Sequence, residues 1–466
     1  MGRQVLPLAV MALVLNGCTM IPRYTRPDPP VPSAWPESAA ANAAAPAARP
    51  AADMGWRQYF TDPRLRSVIE LALANNRDLR VAALNVQKAQ ALYRIQRSGL
   101  YPDIGVTGAG ERYRLPERMS ATGRAATVEQ DSVTVGVASW EIDLFGRIRS
   151  LKARALEDYL ATDQAKNAAR ISLVAAIGGS YLGLAADNDG LGLAQATLAA
   201  QQASFDLIRQ SREAGVASDL DVSQAESQVD AAQADVAQFA GLVAVDRNAL
   251  NLLVGTVVPA ELLPAGLDSV AAFPGLRAEM PSDVLLHRPD VSMAEHQLKA
   301  ANANIGAARA AFFPEITLTG GVGVMSTQLS SLFDSGTRTW SFAPQIVVPI
   351  FSGGGLRGNL DAAKLDREIA VAQYEKAIQT AFREASDALA QRSTLLAQRN
   401  AQESLVKALA ETCRLSDARY QAGLDGYLGV LVAQRALFGA QEGLIGVRLA
   451  EQANLVTLYK VLGGGV

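Results

Sequence analysis

Few residues of this 466-residue chain are placed to carry out chemistry, and the best placed is Cys18. Arg3 precedes a short apolar segment, residues 5–15, which is too short to span a bilayer as a helix and has the form of a targeting segment. The segment ends in Leu-Asn-Gly-Cys, which resembles a bacterial lipoprotein cleavage box with Asn16 where a small residue is usual. We therefore expect cleavage after residue 17 and lipid on the thiol and amine of Cys18. The alternative is an ordinary cleaved signal peptide with a chance cysteine.

The remaining reactive residue types are too few for catalysis or metal binding. The chain has two cysteines and two histidines, without metal-ligand spacing, and His287 and His296 are expected to pack or contact solvent. The three glycines at 353–355 lack the Lys-Ser/Thr of a phosphate loop and indicate a bend between a strand and a helix. No nucleophile, base and orienting group occur together. The net charge of −3 gives no basic surface for nucleic acid. We expect a protein that is not an enzyme and has no cofactor beyond the covalent lipid.

An internal duplication determines how the elements around these residues are arranged. Residues 78–108 align without a gap on residues 290–320 at a constant offset of 212, with nine of 31 positions identical. Pro102 matches Pro314 and Gly108 matches Gly320. Each copy has the pattern of a helix that stops at an aromatic-Pro step and continues as a strand. A repeat of this length is part of the architecture, so two interleaved halves of one body are expected.

Alternating apolar residues predict two strands in each half. Val133, Val135 and Val137 share one face in the first half, and the same alternation covers residues 103–112, 316–324 and 340–350. Alternation over about ten residues is typical of strands that cross a membrane in a barrel. Aromatic residues near the segment ends, such as Trp140 and Trp340, fit the girdles of such barrels. The alternative is a water-soluble antiparallel sheet with one wet face.

Two proline-free stretches, residues 117–258 and 350–466, predict long helices. From about 146 to 213 the sequence is Ala-rich with apolar residues at helical spacing. A helix of ~65 residues would be ~100 Å long and indicates a coiled coil or a helical tube. Gly215 is expected to end it, and Ser218 and Asp221 have capping-box spacing for a second helix over 219–254.

The second half repeats this plan. After two extra residues near 351–357 the offset becomes 208, so that Gly215 corresponds to Gly423 and Leu220 to Leu428. Each half is predicted to run helix, strand, strand, long helix, turn, helix. The predicted organisation is a signal peptide (1–17), a lipidated extended arm (18–60), a first repeat (61–254), an equatorial linker (255–288) and a second repeat (289–462).

The predicted strands require more than one chain. No stretch after the signal segment has ~18 uninterrupted apolar residues, so we expect no transmembrane helix. Four strands per chain cannot close a barrel, which needs about eight, and open strand edges are not tolerated in lipid. A membrane-spanning sheet would therefore be shared among subunits, and the long helices could line a tube in the same assembly.

Several long motifs carry a family resemblance that covers nearly the whole mature chain. The sequence resembles the outer-membrane factors of tripartite, RND-type efflux pumps, the TolC-like family, in its lipoprotein (NodT/OprM-like) branch. The matching stretches are GCTMIPRYTRPDPPVPSAW, FTDPRLRSVIELALANNRDLRVAALNV, WEIDLFGRIRS, MPSDVLLHRPDV and RYQAGLDGYLGVLVAQRALFGAQ.

This resemblance implies a fold class and a location. Three chains with four strands each would form an outer-membrane β-barrel, continued by a long periplasmic α-helical barrel. The protein would be a lipid-anchored homotrimer in contact with outer-membrane lipids, and it would extend into the periplasm. Its partners would be a periplasmic membrane-fusion adaptor and an inner-membrane RND-type pump. It would passively conduct drugs or other small toxic compounds to the exterior.

The same resemblance implies a periplasmic gate at the 420–435 turn. Matching the family motif gives Tyr420, Asp425, Leu428 and Arg435 as gate residues. Leu428 would form an apolar constriction, and the two charged residues would pair with neighbours to hold the closed state. Relatives often carry Asp where this chain has Val432, so the resemblance does not carry an acidic ring over to that level. Plain helix-tip packing is the alternative for each residue.

Three other functions compete with drug efflux. A periplasmic adaptor would also be helical, but the duplicated helix pairs and four alternating strands argue against it. A channel for type I protein secretion would share the fold, and the lipid box and MPSDVLLHRPDV favour the efflux branch over it. Metal ions are a further substrate class within that branch.

Overall fold

The computed structural model describes residues 19–36, 49–50, 54–274, 276–277 and 288–464. The predicted signal peptide, Cys18, His287, parts of the arm and part of the linker lie outside the described residues. The first half contains a short strand and then helices on both sides of a strand pair. These elements are β1 (Arg49–Pro50), α1 (Trp56–Tyr59), α2 (Pro63–Asn75), α3 (Arg77–Ser98), β2 (Ile104–Leu115), β3 (Ala126–Glu141), α4 (Arg147–Glu213) and α5 (Asp219–Val254).

The second half repeats this order after a short connecting strand. Its elements are β4 (Leu276–Arg277), α6 (Pro289–Ala310), β5 (Glu315–Ser326), β6 (Arg338–Val347), α7 (Gly355–Gln421) and α8 (Tyr427–Val461). Helix α6 begins and ends 212 residues after α3, and α7 begins and ends 208 residues after α4, both of them 67 residues long. The two offsets found in the sequence therefore recur in the helix boundaries. Single 3₁₀ turns lie at Glu117–Met119, Ala260–Leu262, Leu267–Ser269 and Leu329–Ser331.

Strands β2, β3, β5 and β6 form one antiparallel sheet in that order. Its register places Val106 opposite Val135, Val135 opposite Val322, and Val322 opposite Trp340. These four paired residues share one face, and their exposed fractions are 71%, 44%, 63% and 76%. An apolar row therefore crosses all four strands without being covered in the single chain.

The neighbouring row, on the opposite face, is small and polar. Thr107 lies opposite Thr134, Thr134 opposite Gly323, and Gly323 opposite Thr339. A soluble sheet would place its apolar face against a core, whereas here the apolar row is the exposed one. The arrangement is that of a sheet with one face toward lipid and the other toward water.

The described residues fall into two compact units, each drawn from both halves of the chain. One contains residues 19–28, 85–162 and 293–374, and therefore the four-stranded sheet. The other contains residues 29–84, 163–292 and 375–466 as far as they are described, together with the parallel pair β1–β4. Helices α4 and α7 contribute residues to both units.

An aromatic cluster forms the centre of the second unit. Tyr59 and Phe60, both fully buried, meet Tyr459 and Phe273, with Tyr59 stacked on Tyr459 at a centroid distance of 4.7 Å. The Tyr59 hydroxyl donates to the Leu455 carbonyl at 2.7 Å, so its polar atom is satisfied inside the core. The cluster joins the residues just before the first repeat to the end of the second repeat.

One described helix has the length and composition of a membrane span, which differs from the sequence expectation. Helix α4 contains an 18-residue window with a mean hydropathy of 1.4, and 56% of that window is buried inside the protein. The expectation of no membrane-spanning helix rested on the lack of an uninterrupted apolar run. Polar residues interrupt this window, but its many alanines raise its mean hydropathy. Burial of more than half the window is what a core helix of a soluble region also shows.

Candidate functional site

The turn between α4 and α5 is the tip of the first half. Gly215 takes a left-handed conformation (φ 78°), and the Val216 amide donates to the Ser211 carbonyl at 2.8 Å. Ser218 and the third residue of α5, Asp221, form the predicted capping box. The first tip is thus closed by a glycine turn and a fully capped helix.

The turn between α7 and α8 is the tip of the second half and has the same backbone. Gly423 has φ 69°, and the Leu424 amide donates to the Arg419 carbonyl at 3.0 Å. The residue before α8 is Gly426, which has no side chain to cap the helix. The second tip therefore lacks the side-chain cap that the first tip has.

Side-chain contacts across the two tips differ at equivalent positions. In the first tip Arg212 Nε lies 2.8 Å from Asp219 Oδ1. The equivalent residues of the second tip are Tyr420 and Tyr427, whose rings are 5.3 Å apart and tilted. An ion pair in one tip is therefore replaced by an aromatic contact in the other.

The predicted gate residue Asp425 lies in an intrachain ion pair. Arg419 Nη2 donates to Asp425 Oδ1 at 3.0 Å, and this hydrogen bond holds the pKa of the Asp425 carboxyl below its usual value. Sequence reasoning missed Arg419 as the partner. The two residues are six positions apart and meet because the turn at Gly423 brings the chain back to the end of α7.

Leu428 and Arg435 line one groove between α5 and α8. The groove has a volume of about 450 Å³ and is also lined by Leu431, Val432 and Gln228. Leu428 and Val432 are 62% and 63% exposed, although both are apolar. Within the described part of the chain, the side chain of Arg435 makes no hydrogen bond or ion pair, so of the two charged residues expected to pair with neighbours only Asp425 does so inside one subunit.

Tyr420 belongs to the packed side of the same tip. Its ring lies against Tyr427, which is buried with Ile208, Val430 and Leu431. Burial raises the pKa of Tyr427 to about 12, and its hydroxyl has no hydrogen-bond partner among the residues that the structure describes. Tyr420 is therefore placed in the packing beneath the exposed groove residues, whereas Leu428 faces outward.

The N-terminal arm runs along α6 in the first unit. The Pro22 carbonyl accepts a hydrogen bond from Asn302 Nδ2 at 2.8 Å, and the Met20 carbonyl accepts one from Arg309 Nη1 at 3.4 Å. Gly306 leaves the space that Ile21 occupies. Residues 20–22 therefore lie beside the last turns of α6, close to the residue where β5 begins.

A charged cluster holds the next residues of the arm. Glu295 accepts from Tyr24 at 3.2 Å and from Arg26 at 2.6 Å, and Lys299 Nζ lies 3.0 Å from the same carboxylate. Burial alone would raise the pKa of Glu295, but the hydrogen bonds from Arg26 and Lys299 hold it below the usual value. We call the α6 residues that contact the arm the docking track: Glu295, Lys299, Asn302, Gly306 and Arg309. At the position equivalent to Glu295 the first repeat has Ala83, so the docking track is specific to the second copy.

The described histidine takes part in an interhelical contact. His296 Nδ1 lies 2.6 Å from Glu157 Oε2, which joins α6 to α4. Among the residues that the structure describes, no group of three or more His, Cys, Asp or Glu side chains is placed to hold a metal ion.

The sheet with its exposed apolar row and the paired 67-residue helices define the class of the protein, a channel of the bacterial outer membrane. The profile of the family described as outer membrane efflux protein matches residues 68–256 and 280–464, one stretch in each repeat, and the chain belongs to this family.

Relatives and solved structures match over nearly the whole chain. A toluene efflux pump outer membrane protein of Pseudomonas putida, TtgC, is 48% identical, over 100% of this chain and 96% of that protein. The antibiotic efflux pump outer membrane protein ArpC of Pseudomonas putida shows the same identity and coverage. The open state of the Neisseria gonorrhoeae MtrE outer membrane channel is 38% identical with a TM-score of 0.86, and the match covers 96% of this chain and 98% of that one.

These findings confirm the fold class, the function and the location predicted from the sequence. The fold is that of the trimeric outer-membrane efflux channels, with four strands and long helices in each chain. The chain is an outer-membrane exit channel of a tripartite efflux system, located in the bacterial outer membrane and extending into the periplasm. Its family and relatives are channel proteins.

Proposed function

We propose that this channel passively conducts small apolar toxic compounds, such as aromatic solvents and antibiotics, from an inner-membrane RND-type pump and a periplasmic adaptor to the exterior. The names of relatives at 48% identity over the full chain support this substrate class. The two-faced sheet carries the pore assignment, because an apolar row at Val135 and Val322 is backed by a polar row at Thr134 and Thr339. Three chains would give twelve strands, enough to close the barrel.

Susceptibility profiling of a deletion strain tests this proposal. The strain is complemented with the wild-type gene, with empty vector, or with each candidate pump and adaptor pair, and exposed to toluene, antibiotics and metal salts. Restored tolerance to solvents and antibiotics is the expected result. Restored tolerance to metal salts alone would replace the substrate class with metal ions. Loss of a secreted polypeptide without a change in tolerance would assign the channel to type I secretion.

We also propose that Cys18 carries the lipid anchor. The arm that follows it is held by Asn302 and Arg309 near the junction of α6 with β5, where a barrel strand begins. Two extended residues span at most about 7 Å, so a lipid on Cys18 would start close to the membrane surface. Replacing Cys18 by Ser should abolish incorporation of labelled palmitate, and unchanged labelling would exclude this site.

The gate proposal rests on the exposed apolar residues of the second tip. Leu428 would form the constriction, and the Arg419–Asp425 ion pair would hold its turn closed. Arg435, without an intrachain partner in the described structure, would be available to a neighbouring subunit, and Tyr420 would pack beneath the turn.

Bilayer recordings separate these roles. Leu428→Ala should raise the basal conductance of small ions, because the apolar side chain that narrows the pore is removed. Asp425→Asn should also raise it, because the ion pair is lost while the size of the side chain is kept. Leu220→Ala, at the equivalent position of the first tip, is the matched control. Unchanged conductance of the Leu428 variant would exclude it from the gate without affecting the efflux assignment.

A further inference from the structure

The N-terminal arm occupies a groove of the second repeat. Besides the docking track of α6 it contacts α7, because Tyr24, which donates to Glu295 at 3.2 Å, also lies near Tyr374. Further along the arm, Trp35 stacks on Phe382 of α7 with a centroid distance of 5.4 Å. A groove between the helix before the strands and the long helix after them can therefore hold an extended, proline-rich chain.

The equivalent groove of the first repeat lies between the start of α3 and α4. The repeat offsets of 212 and 208 carry Glu295 to Ala83 and Tyr374 to Lys166. Ala83 and Lys166 line one groove, which has a volume of about 450 Å³. It is also lined by Leu79, Arg80 and Arg170. The described part of the arm lies in the groove of the second repeat, so the groove of the first repeat is open in the single chain.

The open groove is basic where the occupied groove is not. Arg170, which is half-buried, stands where the second repeat has the buried Ile378. Within the residues that the structure describes, the side chains of Arg80 and Arg170 make no hydrogen bond or ion pair. Lys166 donates to Asp163 at 2.7 Å, and this pair is neutral. Two guanidinium groups of one groove are therefore left without an anion.

The wall of the open groove combines this charge with apolar surface. Leu79 and Ala83 line it from α3, and the stems of the long basic side chains add apolar area. The contacts of the occupied groove are mixed in the same way, since Arg26 pairs with the docking track and the Tyr24 ring lies under Lys299 Nζ. A segment that offers carboxylates to the guanidinium groups and packs apolar or proline side chains on Leu79 would match both parts of the wall.

We propose that the groove between α3 and α4 binds an extended acidic segment of a periplasmic partner protein. The extended form follows from the arm, which adopts it in the equivalent groove. The acidic character follows from the charges, because the second groove presents the Glu295 carboxylate to Arg26, whereas the first presents Arg80 and Arg170 and has Ala83 in place of the carboxylate. The long helices extend into the periplasm, so a periplasmic protein is the source of the segment.

The arm itself supplies a probe for this groove. A fluorescent peptide with the sequence of residues 19–36, carrying Arg23→Glu and Arg26→Glu, keeps the prolines of the arm and reverses its basic charges. Fluorescence anisotropy measures its binding to the purified full-length channel, and the unmodified peptide is the matched control. The acidic peptide should bind the wild-type channel saturably, and its affinity should fall as salt is added, because salt screens the charge contacts.

Charge reversal in the groove tests where the peptide binds. Arg80→Glu combined with Arg170→Glu should weaken binding of the acidic peptide by about tenfold or more, because two attractive contacts become repulsive. The same variant should bind the unmodified, basic peptide more tightly, a gain that misfolding would not produce. The matched control combines Arg247→Glu with Arg383→Glu, two exposed arginines outside the groove, and should leave both affinities at their wild-type values.

Cross-linking in cells identifies the segment. A benzophenone amino acid replaces Ala83 of the full-length channel, and the captured peptide is sequenced by mass spectrometry. The expected product is a segment of a periplasmic protein with an excess of Asp and Glu, and its yield should fall in the Arg80→Glu/Arg170→Glu variant.

Several results would overturn the proposal. These are no binding of the acidic peptide, equal binding of both peptides, or equal losses in the groove and control variants. In cells, the absence of a cross-linked protein, or cross-links only to a neighbouring subunit, to cell-wall fragments or to lipid, would overturn it as well. None of these results affects the efflux assignment, which rests on the susceptibility profile.

Discussion

Replacing Gly306 by Ala should release the N-terminal arm from α6. A Cβ atom at this position would lie 2.6 Å from Ser150 Oγ, 2.7 Å from Ile21 Cγ1 and 2.8 Å from the Ile21 backbone nitrogen. A side-chain tip could rotate away, but a backbone nitrogen can withdraw only if the arm moves. Overpacking of this kind costs about 1–3 kcal/mol, which corresponds to an increase of about 5- to 160-fold in the undocked arm. Alanine also favours the helix by about 0.5–1 kcal/mol, but that gain acts on α6 and leaves docking unaffected.

Limited trypsin digestion measures the undocked population. Arg23 lies in the docked segment and is followed by Tyr24, whereas Arg26 precedes Pro27 and is protected from trypsin by its sequence. When docking is fast relative to cleavage, the cleavage rate follows the open population. Mass spectrometry of the shortened chain should therefore show that cleavage after Arg23 is accelerated by the same factor, about 5- to 160-fold.

A second glycine gives the control. Gly446 lies in α8, and a Cβ atom added there would have nothing within 4 Å. Gly446→Ala should leave cleavage after Arg23 at the wild-type rate. If Gly306→Ala also cleaved at that rate, close packing of the arm on α6 would be refuted, and with it the argument that the arm positions the lipid anchor.

Three further changes test the core, the arm cluster and the second tip. Tyr59→Phe removes the donor to the Leu455 carbonyl and should lower the free energy of unfolding by about 1–3 kcal/mol in denaturant titrations. The pKa of Glu295 is lowered in the folded state, so its stabilisation of the docked arm is fully present above about pH 4.3 and is lost as the pH falls below that value. Hydrogen exchange of residues 21–26 should show this loss as faster exchange. Gly426→Ser combined with Gly429→Asp copies the capping box of the first tip and should slow hydrogen exchange in the first turn of α8, by about 1 kcal/mol of local stability.

The helices and the sheet were predictable because their signals are periodic and occur twice. The capping residues and the absence of proline gave the bounds of α5, which the structure places at Asp219–Val254 as predicted. Alternation at Val133 and Val135 gave strand β3 but not its pairing order, which depends on contacts between distant segments. The bulge between Val137 and Trp140 also depends on the neighbouring strand and had no local signal.

Functional positions were less predictable than the elements that carry them. The Arg419–Asp425 pair depends on how Gly423 returns the chain, which the sequence pattern does not specify. The docking track of the arm was missed, although comparison of the repeats could have found it. Glu295 and Gly306 stand where the first copy has Ala83 and Arg94, and such unequal positions in an otherwise matched helix indicate a local function.

The same comparison applied to the tips gives a physical reason to treat the second tip as the moving part. The first tip is fixed by directional interactions, the Arg212–Asp219 ion pair and the capping box at Ser218. In the second tip, α8 begins without a side-chain cap, and Tyr420 contacts Tyr427 by apolar packing. Apolar packing depends less on exact geometry than a hydrogen bond does, so this contact persists when the two rings shift. Opening there would break an exposed ion pair and rearrange aromatic packing, whereas opening at the first tip would also remove a helix cap. The second tip is therefore the one that can open at lower cost.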